Sequence, residues 1–326
     1  MPRVPMIFPG QASQSVGMAR DLYEAAGPAR DFLLQIDDAL GVNLTGIMFD
    51  GPGEVLTETR NAQPAILAHS VAVALALRER GIAPSLVAGH SLGEFSAAVA
   101  SGALSPLDGL RIVRRRGELM FAAGARRPGT MAAVMGLDGE SVASICAEVS
   151  REGKVVVLAN HNSAAQVAIS GEPEAVAEAG GRLTGAGARR VIPLDVSGAF
   201  HSPLLDEAAE AFAEFLREVP IADPEVPLLA NVSASPVTRA DDLRRGFAAQ
   251  LTAPVLWHDT MESFAGAGSP PAAVLEVGPG KVLTNLARRA YPAVKFIPVG
   301  TVADLDQVAA EMQGTEAPRA REAAGS

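Results

Sequence analysis

The pentapeptide Gly89-His90-Ser91-Leu92-Gly93 has the form Gly-x-Ser-x-Gly, a spacing that suits a nucleophilic serine. The apolar run Leu86-Val87-Ala88 before it predicts a strand, and the small-residue stretch from Glu94 to Ser101 predicts a helix after it. A serine on so sharp a turn needs glycine on both flanks, because a side chain there collides with neighbouring backbone. The turn lifts the Ser91 hydroxyl clear of the sheet. It also aims the following amides, beginning with Leu92, at an oxygen that becomes negative during attack. The bland reading is a glycine-bounded turn with a solvent-exposed serine, and the strand–turn–helix context weighs against it.

A serine hydroxyl is a poor nucleophile without a base. The histidines are His69, His90, His161, His201 and His258. His90 is committed by the turn itself, and His69 sits in an apolar helical run where a satisfied core residue is expected. His201 lies in a loop of small residues, Val196-Ser197-Gly198-Ala199-Phe200, just before a helix start marked by Ser202-Pro203. That is a suitable place for a general base, although spacing alone leaves His161 and His258 open beside it.

The helix expected at Leu107–Ala123 carries three consecutive arginines. Arg114 has Glu118 four residues on, and Arg115 shares a solvated face with Arg111 and Glu118. Arg116 differs, because its helical neighbours Ile112, Val113, Leu119 and Met120 are all apolar. A guanidinium in an apolar stripe is costly unless an anion meets it. The anion is either a protein carboxylate or a substrate carboxylate held by the bidentate fork of the arginine. Ser91 with a buried arginine suggests an enzyme for an acyl group that ends in a free carboxylate.

The elements that must position these residues read as α/β. A first strand at Val4–Phe8 ends at Pro9-Gly10, and helical patterns follow at Ala19–Leu40 and Ala62–Arg80. Between about 126 and 196 the order becomes strand, helix, strand, strand, helix, strand: Thr130–Met135, Gly139–Arg151, Val155–Ala159, Gln166–Ser170, Pro173–Gly185 and Arg189–Leu194. This is the split βαβ, ferredoxin-like order, read as an α+β subdomain at 126–196 inserted into a large α/β domain formed by 1–125 and 197–312. Val226–Val232, Ala272–Val277 and Val294–Val299 read as strands returning to the main sheet, with a helix at Lys281–Ala290. From Gln313 to Ser326 no periodicity remains, and a disordered tail is expected at 313–326.

Composition narrows the function classes. Apolar residues make up 48% of the 326, enough for a full core, and a formal net charge of -10 argues against nucleic acid or an anionic membrane surface. Aromatic content of 4% leaves no platform for stacking bases. The single cysteine, Cys146, fits a reducing cytoplasm and reads as a buried small apolar residue. Pro2, Pro5 and Pro9 interrupt any early apolar run, and Ala65–Leu77 is too short to span a bilayer. A soluble cytoplasmic protein is expected, without a metal site or cofactor, and monomeric by default.

Several stretches, taken together, carry a resemblance: Phe8-Pro9-Gly10-Gln11-Ala12-Ser13-Gln14, Gly89-His90-Ser91-Leu92-Gly93-Glu94 and Arg114-Arg115-Arg116-Gly117. Gly198-Ala199-Phe200-His201-Ser202, Asn231-Val232-Ser233-Ala234 and Glu276-Val277-Gly278-Pro279-Gly280 complete the set. The chain resembles malonyl-CoA:acyl carrier protein transacylases and the related polyketide synthase acyltransferase domains over nearly its whole length. The resemblance implies a hydrolase-like large domain with a parallel sheet and nucleophile elbow, plus the ferredoxin-like insert. It implies Ser91 as nucleophile, His201 as base, Gln11 and Leu92 as oxyanion-hole amides, and Arg116 as carboxylate clamp. Gln250 matches the position whose backbone orients the histidine, and Asn160 and Asn162 match an Asn-x-Asn turn near the substrate cleft. Phe200 looks like the malonyl-selective form of its loop, since its ring leaves little room for an α-methyl branch. Ala12 departs from the family, which usually has glycine there, and His161 between the two asparagines is also unexpected.

The implied reaction moves a malonyl-type acyl group from coenzyme A, a substrate rather than a cofactor, to the phosphopantetheine thiol of an acyl carrier protein. Carrier proteins are typically acidic, so docking on this acidic chain needs a local basic patch. Arg126, Arg127, Arg189, Arg190, Lys281, Arg288 and Arg289 are the candidates, against the bland reading that each is a solvated surface charge. The rivals are the same fold with a methylmalonyl or carrier-borne acyl unit, a hydrolase that clears stalled acyl groups, and a non-catalytic carrier-binding module.

Overall fold

The chain forms strands β1 (Arg3–Phe8), β2 (Ala83–Gly89), β3 (Thr130–Met135), β4 (Val156–Ser163), β5 (Gln166–Gly171), β6 (Arg190–Pro193), β7 (Leu228–Leu229), β8 (Pro236–Val237), β9 (Ala273–Val277) and β10 (Lys295–Val299). They are seen in a computed structural model that describes residues 2–151, 153–266 and 270–316. Among these residues no helix is long and apolar enough to cross a membrane.

The larger sheet runs in the order β10-β9-β1-β2-β7-β8. Every pairing in it is parallel except β7 with β8. A parallel strand covered on both faces must be apolar on both, and β1 and β2 at the centre meet that demand. Alternation sends Val4, Met6, Phe8 and Val87 into one core, and Ile7 and Ala88 into a second core beside Trp257 and Leu283.

The smaller sheet is antiparallel in the order β4-β5-β3-β6. With the helices Gly139–Ser150 and Pro173–Gly185 it buries its own core, which includes Val134, Val142, Cys146, Ile169 and Ala179. This is the ferredoxin-like arrangement expected from the sequence. Burial pushes the Cys146 thiol up to about 12, so it packs as an unreactive small apolar group. The edge strand β4 is stitched to the large domain, where Val255 N–H donates to Ala159 at 2.9 Å and His161 N–H donates to Val255 at 2.9 Å.

Several boundaries differ from the sequence reading. The helix expected over Ala19–Leu40 is three short ones, Arg20–Glu24, Pro28–Leu33 and Ile36–Leu40. Gly27, at φ 135°, turns the chain before Pro28, whose missing N–H is tolerated only in a first turn. The helix expected from Ala62 begins at Thr59 and continues through Pro64 to Glu79. Proline there cannot donate to Arg60 four residues back, and Arg114 Nη1 donates to that carbonyl instead, at 3.0 Å. The strand expected over Val226–Val232 shrinks to Leu228–Leu229, because Asn231 turns away to serve the elbow described below. The tail expected from 313 opens as the end of the helix Val302–Glu316, while its remainder, 317–326, lies outside the described residues.

One helix pair sets the depth of the site. Gly117 on the helix Pro106–Arg126 faces the first turn of Thr59–Glu79 so closely that a Cβ would lie 2.8 Å from the Thr59 carbonyl oxygen and 3.0 Å from Arg60 Cα. That approach puts Gln63 beside Arg116. Gly117→Ala is expected to wedge the helices apart and cost about 1–3 kcal/mol. A lower urea midpoint at unchanged slope is the readout, and an unchanged midpoint would show that the pair tolerates separation.

Candidate active site

Ser91 sits at φ 49° between β2 and the helix Gly93–Ala100. A left-handed conformation costs a non-glycine residue about 1–2 kcal/mol, so the surroundings must enforce it. A Cβ on Gly89 would lie 1.9 Å from Gly93 C, and one on Gly93 would lie 2.1 Å from the Phe8 carbonyl oxygen. Both flanking glycines are therefore obligatory. Asn231, fully buried, clasps the turn from the other side. Its Oδ1 accepts from Ser91 N–H at 2.7 Å and its Nδ2 donates to the Gly89 carbonyl at 2.6 Å.

Of the histidines, the fold brings His201 to the serine. Ser91 Oγ lies 2.8 Å from His201 Nε2, and His201 Nδ1 lies 2.8 Å from the backbone oxygen of Gln250. A carbonyl only accepts, so Nδ1 carries the hydrogen and the Nε2 lone pair faces the Ser91 hydroxyl. His201 is held at φ 58° in its loop, where Ser202 Oγ donates to the Ala199 carbonyl at 2.7 Å and closes the turn. Burial, and then the positive charge of Arg116, lower the His201 pKa to about 3, so the ring is neutral and ready to accept. His161 and His258 are turned to each other, with ring centroids 4.8 Å apart, and His161 Nδ1 lies 3.3 Å from Asp259. His69 is a buried core residue whose Nε2 meets the Gly300 carbonyl at 2.6 Å. His90 lends its Nε2 to Asn162 Oδ1 at 2.8 Å, tying the elbow to the small sheet.

Arg116 is 1% exposed and pairs with no carboxylate among the described residues. Its Nη1 donates to Gln63 Oε1 at 2.9 Å, and its Nη2 donates to Gln250 Oε1 at 2.8 Å and to Ser91 Oγ at 3.1 Å. Its Nε is buried with no hydrogen-bond partner among the described residues. Burial lowers its pKa to about 10, which still leaves it charged at neutral pH. A charged fork satisfied only by neutral oxygens, with one donor unused, has the chemistry to receive an anion.

These groups open on a cavity of about 540 Å³ lined by Gln11, Ser91, Leu92, Arg116, Phe200 and His201. Asn160 and Asn162 also line it, but from strand β4 rather than from the turn the resemblance implied, with register irregularities between Leu158 and Asn160 and between His161 and Ser163. A larger cavity of about 640 Å³ lies beside Cys146 and Val157 on the small subdomain, and its largely apolar wall offers no comparable chemistry. The amides of Gln11 and Leu92 have no acceptor among the described residues, while that of Ser91 is taken by Asn231. Gln11 is also steadied by its side chain, which donates to Thr59 Oγ1 at 3.3 Å. Ala12 stands at φ 79°, so glycine suits that position for its backbone freedom as well as its size.

Of the seven basic residues, Arg189 and Arg289 converge on a neighbouring cavity of about 370 Å³ that shares Asn162, Gln166 and Leu286 with the main one. Arg126 lies 3.6 Å from Glu207, and Arg127, Arg190, Lys281 and Arg288 are exposed.

Sequence reasoning missed Gln63, Glu94 and Asn231 as parts of the site. Glu94 and Gln63 carried the same signal that exposed Arg116, a polar residue inside an apolar helix. Asn231 opened one of the motifs that carried the resemblance, but nothing near it in the sequence gave it a role.

A strand–turn–helix serine, a buried histidine held by a main-chain carbonyl, and two free amides define a serine acyl-transfer centre on an α/β fold. The chain belongs to the acyl transferase domain family, whose model matches residues 6–314. It is 41% identical to the malonyl CoA-acyl carrier protein transacylase of Bacillus subtilis (strain 168), over 92% of this chain and 94% of that one. It is 40% identical to the transacylase of the same name from Escherichia coli (strain K12), over 89% and 93%. Among solved structures, an acyl carrier protein S-malonyltransferase from Vibrio cholerae matches with a TM-score of 0.88 at 37% identity, covering 93% of this chain and 99% of that one. A type II PKS acyl-carrier protein complexed with its malonyl-transacylase matches at 0.89 and 38%, covering 95% and 99%.

Asn231→Ala removes the partners of two buried backbone groups at the elbow. Each unsatisfied group costs about 1–3 kcal/mol, so the variant is expected to lose at least about 2 kcal/mol of stability. Denaturant unfolding is the check; a loss below about 0.5 kcal/mol would mean the turn holds itself.

Proposed function

We propose that this chain transfers a malonyl group from coenzyme A to the phosphopantetheine thiol of an acyl carrier protein, through an acyl-serine on Ser91. The observation that carries the reading is the buried Arg116 fork, unmatched by any carboxylate among the described residues, donating to the same Ser91 oxygen that faces His201. His201 takes the Ser91 proton while Oγ attacks the thioester carbonyl, whose oxygen is received by the Gln11 and Leu92 amides. The carbon–sulfur bond breaks, and His201 returns the proton to the departing thiolate. The carrier thiol then gives its proton to His201 and attacks the same carbonyl, and Ser91 recovers its proton. Arg116 holds the malonyl carboxylate, with Asn160 and Asn162 on the cleft wall, and Gln250 fixes the tautomer of the base.

The intact charge clamp favours transfer of a carboxylated acyl group over the hydrolase and over a non-catalytic module. Phe200 stands in the cavity wall and is 6% exposed, which supports malonyl over methylmalonyl. Arg189 and Arg289, converging beside the mouth, are the basic groups best placed to meet an acidic carrier protein. The reaction serves fatty acid or polyketide synthesis, and the reduced, buried Cys146 fits a cytoplasmic setting.

Intact-protein mass spectrometry after separate mixing with malonyl-, methylmalonyl- and acetyl-coenzyme A tests the reading. A malonyl adduct is expected, absent in Ser91→Ala. In Arg116→Met malonyl labelling should slow by about 100-fold or more while acetyl labelling is spared, the usual penalty for losing one partner of a buried charge pair. Equal losses for both donors would sink the clamp. Phe200→Ala should reduce the preference for malonyl over methylmalonyl by about 10–100-fold, as one methyl group is worth about 1–3 kcal/mol. An unchanged preference would place the selection elsewhere.

A further inference from the structure

Glu94 is a buried titratable group that the reaction above does not use. It follows directly on the elbow, in the first turn of the helix Gly93–Ala100, and is 1% exposed. Its two carboxylate oxygens meet two donors. Oε2 accepts from Gln250 Nε2, and Oε1 accepts from Asn231 N–H at 3.2 Å. Gln250 and Asn231 are both fully buried.

Each of these two partners holds reacting groups. The Gln250 backbone oxygen fixes His201 Nδ1 at 2.8 Å, its side-chain Oε1 receives Arg116 at 2.8 Å, and its Nε2 also donates to the Ser91 carbonyl at 3.0 Å. Asn231 holds Ser91 N–H and the Gly89 carbonyl. Base, clamp and nucleophile thus hang from two residues, and both residues are anchored on one carboxylate.

The donor–acceptor inventory makes the choice of residue specific. An ionised carboxylate accepts at both oxygens, so it suits two converging N–H groups. A side-chain amide has a single acceptor oxygen, and its NH₂ would face a donor. A protonated carboxyl has the same defect, since its O–H points at an N–H. Gln250 would then swing or lose its hold, and both the His201 ring and the elbow would loosen.

We infer that Glu94 is a positioning residue for acyl transfer: its carboxylate anchors Gln250 and Asn231, and through them sets His201 and Ser91 in register. The inference rests on the acyl-serine reading, and it assigns Glu94 no contact with substrate. Arg116 is the charged group facing Glu94, and it stays protonated across the neutral range. His201, reached through Gln250, stays neutral there. Burial raises the Glu94 carboxyl to about 7, so its ionisation falls in the accessible pH range.

The test is rapid-quench mass spectrometry of Ser91 acylation in the wild type and in Glu94→Gln, which keeps the shape and removes the second acceptor. Acetyl-coenzyme A is the donor for the pH series, because its acyl group has no carboxylate of its own. The variant is expected to acylate about 10–100-fold more slowly, the scale of a small misplacement of the reacting groups, at full burst amplitude and with KM changed by less than about 3-fold. Malonyl and acetyl donors should both lose, malonyl at least as much, because Gln250 also receives Arg116. Between about pH 5.5 and 8.5 the wild-type rate should rise with pH while the variant stays flat, the two converging at the acid end as Glu94 takes its proton. A rate within about twofold of the wild type would overturn the inference, as would a loss confined to burst amplitude, to the malonyl donor, or expressed as parallel pH profiles. Failure of the wild type to acylate at all, with Ser91→Ala as control, would instead remove the acyl-transfer reading itself.

Discussion

The site is organised around a positive charge kept dry without a directly paired acid among the described residues. Burying a guanidinium is tolerable only when its protons are taken up, and Arg116 is met by Gln63, Gln250 and the Ser91 hydroxyl, all neutral. Its flat face also lies 5.6 Å from the centre of the Phe95 ring, which gives some compensation without an anion. The acid nearest in the network, Glu94, is held one amide away, on the far side of Gln250. A direct ion pair would have closed the fork. The intervening amide keeps Glu94 out of direct contact with the Arg116 fork.

That arrangement sets demands on elements far apart in the chain. Gln63 must come from the first turns of Thr59–Glu79, and Gly117 is the residue that lets this helix approach the one bearing Arg116. Ser91 must stand at the end of a central parallel strand, so β2 lies beside β1, and Gly93 packs on the Phe8 carbonyl that ends β1. His201 must enter from the loop that leaves the small subdomain, and Gln250 from the end of the helix Ala240–Ala249. The motif Glu276-Val277-Gly278-Pro279-Gly280 has a comparable structural task on β9. The buried Glu276 carboxylate accepts from the Leu283 and Thr284 amides at 2.9 and 2.7 Å, securing the start of the helix whose Val282 and Leu283 line the cavity mouth.

Local physics was readable from the sequence wherever the constraint was itself local. The elbow is contiguous, and its glycines, strand and helix all fall within a dozen residues of Ser91. Arg116 revealed itself through helical period, because its neighbours one turn away on either side are apolar. The insert showed itself because strand and helix patterns alternate there with short connections. Ranking His201 above His161 and His258 took the resemblance, since nothing in spacing says which loop crosses to the serine. The long helix expected at Ala19–Leu40 failed for a related reason. Its apolar pattern persists across three segments that pack on one core, so period alone could not locate the breaks at Gly27 and Gln35. Asn231 was invisible as a functional group because its role comes entirely from tertiary closure against Ser91 and Gly89.

The unpaired guanidinium also bears on how the base is switched. Burial is the main reason that His201 is such a weak base in the free enzyme, and the Arg116 charge is the next. Burial persists when a substrate enters the cavity. The charge need not, because a carboxylate seated on Arg116 cancels the repulsion that a proton arriving on His201 would otherwise meet. On the proposed reaction, a malonyl group therefore strengthens the base as it docks, and an uncharged acyl group of similar size leaves it weak. Recognition and activation then follow from one ion pair. On that reading the free enzyme keeps the histidine neutral, and the serine is activated as a carboxylated acyl group fills the fork.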